Sequence, residues 1–340
     1  MNRYLPPEWA EQDGVLIAWP HEGTDWADML PQVKACYVEI ARAILRDERL
    51  LIVCSDKDQV RSQLAGCRLE NARFFALPTN DTWTRDYGPV TVMNNGEPLL
   101  LDFTFNAWGQ KFAADCDNQV SRRLHELHAF IAPLSNQLDM VLEGGSIESD
   151  GQGTVMTTTR CLLESNRNPW LNQEQIEHQL KQRLGCEQVL WLDHGALDGD
   201  DTDGHVDTLA RFAPDGTIVY VGCDDTNDPQ YTELRLMEQQ LRGFTSAQGQ
   251  PYRLLRLPSP EAIYDGPLRL PATYANFLVL NHSVLVPVYG QPANDKKALQ
   301  TLREAFPTRE TVPINCRPLI CQNGSLHCST MQFPKKTLAL

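Results

Sequence analysis

The 340-residue chain has no apolar run long enough to cross a bilayer, and Met1-Asn2-Arg3-Tyr4-Leu5-Pro6-Pro7 lacks the apolar core of a secretory signal. Both absences point away from a membrane and towards the cytoplasm. Positive charge is scarce: 30 Lys and Arg stand against 44 Asp and Glu, for a formal net charge of −14. Such a surface disfavours nucleic acid as a partner and favours small cations. None of the 10 cysteines forms a C-x-x-C pair, and several sit inside apolar patterns, as in Leu50-Leu51-Ile52-Val53-Cys54. That suits buried free thiols in a reducing compartment better than a disulfide frame. Linkers and low-complexity stretches are missing too, so residues 1–340 read as a single domain with a sizeable core. Whether the chain forms a homo-oligomer stays open at this level.

What the chain does have is one recurring α/β unit: a polar motif, a strand, a Gly or Asn turn, a second strand, a helix and a third strand. The first copy runs through Gly14 to Pro20, a helix over Pro31 to Asp47 and the strand Leu50 to Cys54. The second opens with Trp83-Thr84-Arg85-Asp86-Tyr87-Gly88-Pro89, then the hairpin Val90 to Met93 and Leu99 to Phe105, and a helix near Asn118 to Phe130. Glu143-Gly144-Gly145 opens the third, whose helix near Asn172 to Leu184 stops at Gly185. In the fourth, His205 to Phe212 alternates as a strand should, and helix Pro229 to Arg242 follows. The fifth has strands Asn276 to Leu280 and Val284 to Val288, and a helix from Asn294 to Phe306. An alternating run from Val312 to Ile320 then leads to Cys328. Polar motifs recur every 50 to 70 residues or roughly so, which predicts a closed repeat with the motifs round a central axis. A doubly wound α/β sheet is the alternative, but it leaves the motif before each hairpin unexplained.

Among the cysteines, Cys328 stands out by its Gly324-Ser325 approach and its polar neighbours His327 and Ser329. On a strand, His205 and Asp207 would project from one face while Val206 packs opposite. The run Asp198-Gly199-Asp200-Asp201-Thr202-Asp203-Gly204 invites a calcium-loop reading, but Gly is needed at the sixth position and Glu at the twelfth, where Asp203 and Leu209 stand. No second His has metal-site spacing, so the expectation is no metal. Glu143 precedes two glycines that allow close backbone approach, Asp86 is fixed by Tyr87-Gly88-Pro89, and Arg85 and Arg167 read as structural partners of carboxylates. One Cys, one His and three carboxylates suit a small cationic guanidino substrate, whose fork carboxylates bind and whose carbon accepts a thiolate.

These motifs, with Asn166-Arg167-Asn168-Pro169, Asp201 to Asp207 and His327 to Gln332, resemble in order, over nearly the whole chain, the agmatine deiminase and bacterial peptidylarginine deiminase family. The resemblance implies the fold of the guanidino-modifying enzymes, a five-bladed α/β propeller of ββαβ modules (the pentein fold). It also implies Cys328 as nucleophile, His205 as general acid and base, Glu143 as its orienting partner, and Asp86 and Asp207 as the guanidinium clamp, with no cofactor. The activity implied is hydrolysis of agmatine to N-carbamoylputrescine and ammonia, within polyamine biosynthesis. Deimination of arginine or peptidyl-arginine is the alternative, and a non-catalytic binding protein on the same fold a third. Cys321-Gln322-Asn323-Gly324-Ser325-Leu326 departs from the Gly-rich, Asn-Ile-His-Cys approach common in agmatine deiminases, which bears on substrate rather than on chemistry. For the substrate's far end, Asp201 is the expected ammonium acceptor, Asp203 the reserve, and Trp83 a wall for the methylene chain.

Overall fold

The structure is a computed structural model describing residues 3–339; Met1, Asn2 and Leu340, at the ends of the expected domain span, lie outside the described residues. Five mixed sheets of three or four strands share one internal order: an antiparallel pair extended by a parallel strand that a helix has carried across. Gln12–Ala18 pairs antiparallel with Met331–Pro334 and parallel with Arg49–Cys54, and Ala72–Ala76 adds a fourth strand. Val90–Asn94, Glu97–Thr104 and Leu134–Val141 form the second sheet, to which Arg3–Tyr4 adds an edge. The third joins Glu148–Ser149, Thr154–Thr158 and Gln188–Leu192, and the fourth Ala210–Ala213, Thr217–Gly222 and Arg253–Pro258. Leu278–Val279, Ser283–Val288 and Glu310–Asn315 make the fifth.

The helices form where apolar spacing and caps dictate. Leu30–Asp47 carries Pro in its first turn and buries Val33, Cys36, Tyr37, Ile40, Ala41, Ile44 and Leu45, one stripe at helical spacing. Gln173–Leu184 starts on a reciprocal cap between Asn172 and Gln175 and stops at Gly185 in the left-handed region. Asn95 at φ 52° and Gly96 at φ 84° make the tight turn of the second sheet's hairpin. No described helix is long and apolar enough to cross a membrane.

Three sequence expectations need correction. Residues 205–212 are not one strand: Val206–Thr208 is a 3-10 turn, and the strand starts only at Ala210. The backbone groups that would have fed a ladder are captured locally, the His205 N–H by Thr202 Oγ1 at 3.0 Å and the His205 carbonyl by the Thr208 hydroxyl at 2.8 Å. The run from Val312 breaks at Asn315 into the helical turn Arg317–Ile320, where Pro318 cannot donate to a ladder. The second-sheet helix is shorter than expected, Val120–Glu126 after a 3-10 turn at Asp117–Gln119.

Candidate active site

Short segments at the starts of the hairpins converge. Cys328 lies three residues before the strand Met331–Pro334, and its carbonyl accepts the Arg85 N–H at 3.1 Å, which ties the Trp83–Tyr87 segment to the thiol. Asn276 Oδ1 accepts the backbone N–H of His327 at 2.9 Å and of Cys328 at 3.2 Å, and lies 3.4 Å from the Cys328 sulfur. Asp207 Oδ2 lies 3.9 Å from the same sulfur, and His205 Nδ1 lies 3.6 Å from Asp86 Oδ1. Asp86 Oδ1 also accepts the Gly145 N–H at 3.0 Å, and Oδ2 accepts the Trp108 indole N–H at 3.0 Å. A Cβ at Gly145 would stand 2.6 Å from His205 Nδ1 and 2.8 Å from Asp86 Oδ1, so only glycine lets these groups meet.

All five residues named for catalysis are therefore brought together, and all are at most 4 % exposed. Glu143 stands somewhat differently from its expected place. Both of its oxygens are held by Arg167 Nε, at 2.9 and 3.0 Å, and neither His205 ring nitrogen has a hydrogen-bond partner among the described residues. Arg85 pairs with Glu8 at 3.2 Å rather than with a carboxylate of the site. Trp83 packs on Trp26 and donates to Asp81 at 3.1 Å; a Cβ at Gly324 would stand 2.3 Å from its ring, so the approach to the thiol is moulded against that indole. Asp201 accepts from Asn323 at 3.2 Å, whereas Asp203 is engaged by Arg167 at 2.8 Å and Lys111 at 2.9 Å and is not free to act as the reserve.

The thiol opens onto a pocket of ≈ 420 Å³ walled by Trp83, Trp108 and Phe112. Its charged lining among the described residues is Asp25, Asp81, Asp86 and Asp201, with no Lys or Arg. Burial, with Asp207 and Asp86 adding, pushes the Cys328 thiol well above its ordinary value. Burial likewise raises Asp86 to about 6, with Asp207 and Glu143 adding to it and His205 and the Trp108 N–H opposing. For His205 burial alone would depress the pKa, but Asp86, Cys161 and Glu143 outweigh it and hold the ring well above its usual range. Burial would raise Asp207, yet His327, His205 and Arg211 bring it below the ordinary value.

Sequence reasoning passed over four residues here. Asn276 stands at the start of the expected strand Asn276 to Leu280 but carried no role. His327 was quoted only as a neighbour of Cys328; its Nδ1 lies 2.7 Å from Asp207 Oδ2. Cys161 was not singled out, though its sulfur, a Glu143 oxygen and a His205 nitrogen all lie within 4.8 Å of one another. Trp108 sits in a turn where Ala107, Trp108 and Gln110 take φ of 53°, 55° and 68°, left-handed geometry that no residue type there advertises. Two groups offer donors at metal-like spacing, Glu143 with Cys161 and His205, and Glu8 with Glu148 and His327. In each, a guanidinium already occupies a carboxylate, Arg167 on Glu143 and Arg211 on Glu8 and Glu148, so a divalent ion would enter beside a fixed positive charge.

Residues 4–334 match the family model described as Porphyromonas-type peptidyl-arginine deiminase. The curated agmatine deiminase of Stutzerimonas stutzeri is 34% identical, over 97% of this chain and 95% of its own. A solved structure from Porphyromonas gingivalis, provisionally named arginine deiminase, is 51% identical with a TM-score of 0.95, covering 99% of this chain and 100% of that one. A Cys-to-Ser variant of the C. jejuni agmatine deiminase, solved with substrate bound, is 37% identical with a TM-score of 0.92, covering 99% of this chain and 97% of that one.

Proposed function

The chain belongs to the Porphyromonas-type peptidyl-arginine deiminase family, and on that premise we propose that it hydrolyses agmatine to N-carbamoylputrescine and ammonia. One observation carries the choice of substrate: every charged residue lining the pocket beside Cys328 is an aspartate. A substrate cationic at both ends complements such a lining, whereas the α-carboxylate of arginine would meet these carboxylates without a partner. The cysteine, histidine and carboxylates together argue against a binding protein without catalysis.

Asp86 and Asp207 hold the guanidinium between them. Burial first, and then these two carboxylates, keep the Cys328 thiol protonated; the guanidinium's positive charge offsets the carboxylates and sits beside the sulfur, so binding favours release of that proton to solvent and makes the thiolate where it is needed. The thiolate attacks the guanidinium carbon. His205, protonated in the free protein, gives its proton to the departing nitrogen, and ammonia leaves an amidino-cysteine. The neutral imidazole then takes one proton from water as its oxygen adds to the carbon; the carbon–sulfur bond breaks as the carbonyl forms, the remaining hydroxyl proton passes to solvent, and the ureido product leaves with the thiolate restored. Asn276 fixes the Cys328 backbone during both steps, and Glu143, neutralised by Arg167, contributes to the field on His205.

The five sheets of one strand order support five blades of a propeller, closed where Met331–Pro334 pairs with Gln12–Ala18. The main core cluster draws on both ends of the chain, from Val15 to Ala132 and from Ala213 to Leu338, and Trp9 packs against it and against the cluster of Met156 to Leu241, which supports one catalytic domain, and ten free thiols support a reducing, cytoplasmic setting. A second substrate reading, arginine or peptidyl-arginine, is favoured by Lys111, whose Nζ bonds the Asp201 carbonyl and Asp203 just outside the aspartate lining and could meet a carboxylate. The deciding experiment is a panel of agmatine, arginine and an arginyl peptide scored for ammonia and ureido product. A kcat/KM for agmatine at least about tenfold above the others supports the proposal; equal or higher values for arginine or the peptide reject it.

A further inference from the structure

The two carboxylates of the guanidinium clamp are held in different ways. Asp86 has a fixed donor on each oxygen, the Gly145 N–H on Oδ1 and the Trp108 indole N–H on Oδ2, both at 3.0 Å. Asp207, fully buried, leans on one: His327 Nδ1 lies 2.7 Å from its Oδ2, and Oδ1 has no hydrogen-bond partner among the described residues. The Cys328 sulfur reaches the same Oδ2 only at 3.9 Å and is a weak donor. Asp207 also sits on the short turn Val206–Thr208, so no strand ladder fixes its direction. The orientation of this carboxylate therefore depends on a single imidazole.

That imidazole is itself held from several sides. Asn276 Oδ1 accepts the His327 backbone N–H at 2.9 Å and the Cys328 N–H at 3.2 Å, so the ring and the thiol hang from one fixed stretch of backbone. Nε2 stands 2.6 Å from Glu8 Oε1 and 3.0 Å from Arg211 Nη2, and can give a hydrogen to the first or take one from the second. Nδ1 has no such choice. The group it faces is an ionised carboxylate, which only accepts, so Nδ1 carries a hydrogen whether the ring is neutral or charged. We propose that His327 is the positioning residue of Asp207: its Nδ1–H holds the carboxylate in the orientation the clamp needs, while Glu8 and Arg211 steady the ring from behind. The inference rests on the reading of Asp207 as half of that clamp.

Three substitutions separate this role from that of a core filler. In His327→Asn the amide nitrogen falls near the place of Nδ1 and still donates to Asp207. In His327→Gln it falls near the place of Nε2, towards Glu8 and Arg211, and His327→Leu keeps bulk alone. The Leu and Gln variants should lose roughly ten- to hundredfold in kcat/KM, the range for a lost hydrogen bond to a charged group, and the Asn variant should recover at least about fivefold over both. Unfolding midpoints should run the other way, Gln above Asn, because Gln keeps the contacts behind the ring. A Gln variant at least as active as the Asn variant, or all three within about threefold of the wild type, overturns the proposal. Rates are read on whichever guanidino compound is turned over fastest, so the choice of substrate drops out. Where a variant does not fold, the wild type decides: with isotope-labelled histidine, NMR should show an imidazole Nδ1–H, identified by its shift in Glu8→Gln, that persists from about pH 6 to 9. A His327 ring carrying its hydrogen on Nε2 alone overturns the proposal even if no guanidino compound is turned over.

Discussion

Asp207 separates two charged regions that obey opposite rules. On the side of the thiol, Asp25, Asp81, Asp86 and Asp201 face a pocket whose lining holds no Lys or Arg among the described residues. On the other side, Glu8 meets Arg85 and Arg211, Glu148 meets Arg211, and His327 lies between Glu8 and Asp207. Burial would raise Glu8, but Arg211, His327 and Arg85 hold it well below the usual carboxylate range. Glu148 is pushed up to about 8, because burial and the nearby Glu8 outweigh the guanidinium that the two acids share. A buried charge with a fixed partner maintains a fold; a buried charge without one is an unmet demand that a substrate can satisfy. The contrast teaches which of many acidic residues to read as functional.

The contrast can be broken or sharpened at named residues. The largest effect is expected at the thiol: Cys328→Ser should lower turnover by well over about a hundredfold with the fold intact, because the hydroxyl is a far weaker nucleophile near neutral pH. Residual activity above about a hundredth, measured as ammonia release, would move the nucleophile elsewhere, and Cys161 beside His205 would be the first place to look. Next, Arg211→Met should cost about 3–5 kcal/mol in chemical denaturation, since it strips buried carboxylates of their partner.

Asp86→Asn should do the reverse. Asp86 has a folded pKa of about 6 against an unfolded value of 3.8, so its contribution to stability is fully present below the unfolded value and is lost as pH rises through about 6. The asparagine variant should therefore gain on the wild type between about pH 4 and 6 and hold a lead of about 2–3 kcal/mol above that. Its kcat/KM should fall roughly ten- to hundredfold at neutral pH, and the wild-type value should itself decline as acidification protonates Asp86. A variant destabilised at pH 7 would place Asp86 with the paired charges instead. A smaller change is expected at the pocket mouth, where Asp201→Asn should raise KM for agmatine by roughly tenfold with less effect on kcat. An unchanged KM would leave the tail ammonium without its assigned acceptor. Prolonged chelation should change nothing, and activity lost on chelation and regained with one divalent metal would contradict the reading of both donor groups as ion-paired.

Much of this was legible beforehand because it is written in short motifs. Glu143-Gly144-Gly145 announces close approach by its glycines, and the repeat announces itself through turns and helix caps at regular intervals. The 205–212 segment misled because alternation of apolar residues is shared by strands and by short turns whose side chains cap their own backbone, and only Thr202 and Thr208 in place decide between them. His327 and Glu8 were beyond reach for another reason. They are 319 positions apart, and nothing local in either signals the partner. Arg211 is likewise an ordinary strand residue until the fold surrounds it with acids.

The turn at Ala107–Gln110 has a consequence for how such a protein drifts under selection. Three residues with side chains held in left-handed geometry cost roughly 1–2 kcal/mol each, a total comparable with much of a domain's net stability. At the small Ala107 and the exposed Gln110, replacement by glycine would relax the turn and harden the fold, so stability alone offers no reason to retain side chains there, whereas the buried Trp108 ring also packs on Phe105 and Phe112. What the turn secures is the direction of one indole N–H towards Asp86. Variation there is therefore judged by turnover rather than by survival of the fold, and a lineage released from catalysis would be free to spend this strain first.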